Sequence, residues 1–117
     1  MTHRRPPSAH AITEHATLLN ARRAADYILQ HPQIVERAML RLETDLASHR
    51  RSAGLRLWRE VLRLPLTEVV GRMIEESPSG RLLRSNNPFS TVLPQDDELM
   101  RRRTWRQAKA ELSSKST

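Results

Sequence analysis

Arg101-Arg102-Arg103-Thr104-Trp105-Arg106 is the densest chemical feature of the chain, four guanidiniums interleaved with one indole. On a helix such groups suit a polyanion: arginines run along phosphates while the ring of Trp105 stacks on a base. The same spacing has a plainer explanation. Trp105, Ala108 and Leu112 follow one another at steps of three and four, the period of a buried helical stripe, and the arginines then become its solvated faces. Both readings stand at the level of sequence.

Catalytic chemistry finds less support. The five histidines are His3, His10, His15, His31 and His49, and no two have the i, i+4 spacing that sets two imidazoles over one metal on a helix. His10 and Glu14 do have that spacing, which is usual for an exposed pair. Asp96-Asp97-Glu98 offers carboxylates to magnesium. Adjacent residues on a helix point apart, however, and negative charge in a first turn is what the helix dipole favours. The serines form no Gly-x-Ser-x-Gly elbow, and the three glycines form no phosphate-cradling loop. Cysteine is absent, which excludes thiolate zinc sites, disulfides and cysteine nucleophiles. The expectation is a protein that is not an enzyme and uses no metal or cofactor.

Helices must position these groups. Leu18, Ala21, Ala25, Ile28 and Leu29 mark one face of a helix expected from about Thr13 to Gln30. Pro32 opens a second, whose stripe is Val35, Ala38, Met39, Leu42 and Leu46. After the polar link His49 to Gly54, with Ser52 a cap, Leu57, Trp58, Val61 and Leu62 give a third. Leu64-Pro65 breaks it, because proline disfavours helix at the preceding residue. Leu66, Val69, Val70, Met73 and Ile74 form the cleanest amphipathic stretch. Ser77-Pro78 then starts a short helix in which Leu82 and Leu83 pack, ending at Asn86-Asn87, residues that tolerate a left-handed cap. A nonhelical strap from Pro88 to Leu93 docks Phe89 and Leu93, and the last helix runs from Pro94 and its acidic residues to about Leu112.

With 117 residues, 38% of them hydrophobic and 3% aromatic, the chain can bury a real but thin core. The expected fold is all-α: a small orthogonal bundle of five to six helices over 13–112. A flexible basic arm (1–12) precedes it and a short tail (113–117) follows. No apolar run is long enough to span a membrane, and no secretory leader pattern opens the chain, so a cytoplasmic location is expected. Twenty basic against 13 acidic residues give +7, spread along the chain except for a neutral stretch at 66–94. Eighteen of the 20 are arginine, which codon composition explains as readily as selection for guanidinium chemistry. A basic chain of this size associates with nucleic acid or an acidic partner, and salt weakens the association.

Other surfaces also invite partners. Leu57, Trp58, Val61, Leu62 and Leu64 cover more than half a helix circumference, which either lines an interface or is wrapped on all sides by a small bundle. Arg81 and Arg84, about one turn apart, can clamp an acidic group, or can simply be solvated. The helices at 66–75 and 78–86 fit a helix-turn-helix poorly. Gly71 supplies its small residue, but the second helix places Arg81 and Arg84 where apolar anchors belong, and Glu75 stands where the turn wants glycine.

Trp58-x-x-x-Leu62, Pro65-Leu66, Val69-Val70 and Ser77-x-x-Gly80-x-x-Leu83-Arg84, with Pro88-Phe89 and Leu93 following, make up a distinctive string of about 36 residues. It resembles a family of short bacterial helical proteins with a Ser-x-x-Gly-x-x-Leu-Arg-x-Ser-x-Pro-Phe signature, whose genes tend to lie beside toxin-like genes. Here Asn87 precedes Pro88, and Pro94-Gln95-Asp96-Asp97 departs from the family's opening of the last helix. The resemblance implies an antitoxin-like or partner-regulator role in a toxin-antitoxin system; the expectation built on it is a noncatalytic protein that neutralises or regulates another protein by occlusion. Trp58, Arg81, Arg84 and Phe89 would form the partner contact. Two alternatives remain: a small DNA- or RNA-binding regulator using Arg101, Arg102, Arg103, Trp105 and Arg106, and a structural subunit of a phage or other assembly. Self-association is open in all three.

Overall fold

The computed structural model describes residues 6–94 and 98–115, with the side chain of Lys115 left aside. Every regular element among them is helical: α1 (Ala9–Gln30), α2 (Ile34–Ser48), α3 (Ala53–Val61), α4 (Leu66–Met73), α5 (Pro78–Ser85), a 3-10 turn (Pro88–Thr91) and α6 (Glu98–Lys115). The protein is all-α. The helices begin and end largely where the punctuation of the sequence put them. Ser52 caps α3 by accepting from the Leu55 N–H at 3.2 Å, and Ser77 caps α5 by accepting from the Gly80 N–H at 3.0 Å. Each satisfies a backbone donor that the first turn leaves without an intrahelical partner.

Five features differ from expectation. α1 starts at Ala9, inside the segment expected as an arm, and buries Ile12. α2 starts at Ile34, after a turn through Pro32 and Gln33. The strap is a 3-10 turn, capped by the Asn87 side chain accepting from the Phe89 N–H at 2.9 Å. Asn86 ends α5 with φ −129° and ψ 36°, so no left-handed cap forms. α6 continues past Leu112 to Lys115. Asp96 and Asp97 lie outside the described residues, as do Met1 to Arg5 of the basic arm; Glu98 is the acidic residue in the first turn of α6.

The chain divides into two compact units. One holds α6 and α1 up to Asn20; the other holds the rest of α1, α2 to α5 and the 3-10 turn. The larger unit has a continuous apolar core that includes Ile28, Leu42, Trp58, Val69, Met73, Leu83 and Phe89, all at most 2% exposed. Three predicted core positions fall outside it: Leu29 is 44% exposed, Met39 42% and Leu82 37%. Each sits beside a residue that took the inward place, Ile28, Ala38 and Leu83. A helix rotates about 100° per residue, so two neighbours cannot both face one narrow contact.

Gly80 is fixed by close approach. A methyl group there would run into the Glu75 backbone carbonyl, so α5 can start against the end of α4 only with glycine at this position. Gly71 is different: nothing lies within 4 Å of where its Cβ would be. No second helix crosses at Gly71, and this removes the one feature of the 66–86 segment that favoured a helix-turn-helix.

Candidate functional site

The four residues expected at a partner contact are placed unlike one another. Trp58 and Phe89 are fully buried. The Trp58 Nε1–H donates to the Leu83 carbonyl at 2.7 Å, and the Phe89 ring meets the indole edge-on with centroids 5.8 Å apart. The buried indole therefore has its polar atom satisfied and acts as the joint between α3, α5 and the 3-10 turn. The wide apolar face of α3 is consumed in the same way: Val61 and Leu62 are buried, and Leu57 and Leu64 pack against the core. The Arg84 Nη1 donates to the carbonyls of Met73 at 3.0 Å and Glu75 at 2.8 Å. Those carbonyls close α4, where orphan acceptors and the negative end of the helix dipole favour a cation. Of the four, Arg81 alone is exposed.

The smaller unit arranges its residues otherwise. Ala108 of α6 packs with Ile12 and Leu19 of α1, and Ala16 and Leu112 flank this cluster. Thr104 is also buried, its hydroxyl donating to the Met100 carbonyl at 3.0 Å. His15, 7% exposed, places Nε2 3.3 Å from Glu111 Oε1 and adds a polar link. The inward stripe of α6 is therefore Thr104, Ala108 and Leu112, at steps of four, in place of Trp105, Ala108 and Leu112. Counting apolar residues alone passes over Thr104, whose hydroxyl is satisfied by its own helix and whose methyl is free to pack.

Rotating the stripe by one residue turns Trp105 outward, 39% exposed. It lies in a shallow groove of about 350 Å³ lined by Glu98, Arg101, Arg102, Trp105 and Arg106. Arg101 precedes the indole by about one turn, Arg102 by three residues, and Arg106 follows it. Arg103 and Lys109 are exposed on the same helix. Arg102 Nη2 is 2.7 Å from Glu98 Oε1, an exposed i, i+4 pair that fixes one guanidinium in place. Among the described residues no group of three or more metal-ligating side chains forms, and no helix is long and apolar enough to cross a membrane.

What the groove can do follows from its groups. Guanidiniums offer forked N–H donors to phosphate or carboxylate oxygens. The indole offers a flat apolar face to another ring. Nothing in the groove is placed as nucleophile with base. Comparison with protein-family models, with curated proteins and with solved structures finds no match to this chain.

Proposed function

We propose that this protein is a noncatalytic nucleic-acid-binding protein and that the exposed face of α6 is its contact, with Arg101, Arg102 and Arg106 on phosphates. One observation carries the reading: Trp105 is turned out of the core into a groove whose other walls are mostly arginine. An apolar ring left in water beside cations costs solvation, and a polyanion that also carries rings would offset that cost. The net charge of +7 works in the same direction by drawing phosphates to the surface. The antitoxin-like reading, occlusion of a partner protein, has less to stand on, since Trp58 and Phe89 lie in the core and Arg84 closes a helix.

The test is the salt dependence of DNA binding by the intact chain. Each phosphate contact contributes about −0.7 to −0.9 to the slope of log K against log salt. Changing Arg101, Arg102 and Arg106 together to Ala is expected to make that slope shallower by about two units. An unchanged slope would remove α6 as the phosphate contact.

A further inference from the structure

We infer that the nucleic acid held at α6 is single-stranded, with one unpaired base stacked on the exposed indole of Trp105. This rests on α6 being the phosphate-binding face and adds which form of nucleic acid fits it. In a duplex the flat faces of the bases are covered by their neighbours, and only edges are shown in the grooves. An indole presented to a duplex therefore meets sugar and phosphate, where its ring gains little. Presented to a single strand, the same ring meets an open base face, and stacking of this kind tolerates any sequence.

The composition of the groove points the same way. Three guanidiniums surround one ring, and one carboxylate, Glu98, stands on the rim paired with Arg102. A carboxylate there repels phosphates, so the groove is not a continuous phosphate track of the kind a duplex backbone needs. It suits a ligand that brings one flat ring and a few phosphates to one place. The groove, about 350 Å³, has Trp105 and the arginines as walls, so a ring seated in it meets both. A run of Asp and Glu alone, as in polyglutamate, would satisfy the arginines but brings no ring to Trp105.

The two tryptophans make the test direct, because Trp58 is fully buried and Trp105 is not. The intact chain is titrated at fixed salt with a single-stranded oligothymidylate, a duplex of equal length and polyglutamate, and both binding and tryptophan emission are followed. The single strand is expected to quench Trp105 and to bind more tightly than the duplex. Trp105→Ala is expected to weaken single-strand binding by about five- to 150-fold, the affinity equivalent of one stacked base. Trp105→Phe should keep most of the affinity, and Trp105→Ala should leave duplex and polyglutamate binding within about twofold. Persistence of the Trp58 emission and of near-ultraviolet dichroism shows that a variant is folded.

Single-strand binding untouched by Trp105→Ala, or polyglutamate bound as tightly as the oligonucleotide, would overturn the inference. If changing Arg101, Arg102 and Arg106 to Ala still abolishes nucleic-acid binding in the first of those cases, the phosphate face stands and only stacking fails. If that triple change also has no effect, the functional reading fails with it.

Discussion

The two units of this small protein spend their residues differently. The larger one buries fifteen apolar residues in one cluster, with Trp58 and Phe89 at its centre, and the smaller one builds its cluster on three. Polar burial runs the opposite way: His15 and Thr104, the buried polar residues among those described, both belong to the smaller unit. The tryptophans divide along the same line, Trp58 sealed with its N–H on the Leu83 carbonyl and Trp105 standing in the arginine groove. Stability is concentrated where large side chains interlock. Exposed chemistry is concentrated where small side chains, Thr104 and Ala108, take the inward positions and leave the large one outside.

The largest expected effect tests that division directly. Trp58→Ala should cost about 3–5 kcal/mol in urea denaturation, since it empties a filled site and leaves the Leu83 carbonyl with the Asn86 N–H as its remaining donor. Trp105→Ala should stay within about 0.5 kcal/mol. Comparable costs for the two would erase the contrast. Next comes Leu19→Ala in the thin cluster, expected near the lower end for a buried leucine, about 2 kcal/mol. It should be visible as faster amide exchange around Ala108 on α6; unchanged protection there would mean that the cluster does not hold that helix. Gly71→Ala should raise stability by about 0.5–1 kcal/mol, because the position is helical, exposed and open to a methyl group. A loss of stability would show an unseen demand on that glycine.

The smallest effect is electrostatic. Arg59 of α3 grips Glu43 of α2 through two hydrogen bonds, Nε to Oε1 at 3.1 Å and Nη2 to Oε2 at 2.7 Å. The hydrogen bonds from Arg59, reinforced by its charge and that of Arg63, hold the Glu43 carboxyl below its ordinary range despite partial desolvation. A carboxylate depressed in the folded state stabilises above the unfolded value, and the contribution disappears as pH falls through the lower folded value. Glu43→Gln should therefore lower the melting temperature slightly near neutral pH and not at all near about pH 2. Both side chains are exposed, which keeps the effect small and salt-sensitive. A difference that persists in strong acid would point to packing as its cause.

Much of the fold was legible from local rules. Prolines at 32, 65, 78 and 88 fall at helix boundaries because ring geometry and the missing N–H act within one turn. Ser52 and Ser77 cap as their type and position suggest. The apolar period gave Ala25, Ile28, Ala38, Leu42, Val69 and Met73 their inward faces. The groove on α6 was half legible: its residues stood together in the chain, but their orientation was ambiguous by one position. A signal was present in the four-residue step from Thr104 to Ala108 to Leu112, hidden because threonine counts as polar.

Sequence alone thus settled that the chain is helical, where its helices break, and that arginine dominates its charge. Tertiary structure decided which side of each helix faces inward when two adjacent residues compete, as with Thr104 and Trp105 or Leu83 and Leu82. It also decided that Arg84 closes a helix end. The reason is one of range: caps, prolines and periodicity act over a few bonds, whereas the centre of a buried face depends on the shape of whatever packs against it, supplied by residues far away in the chain.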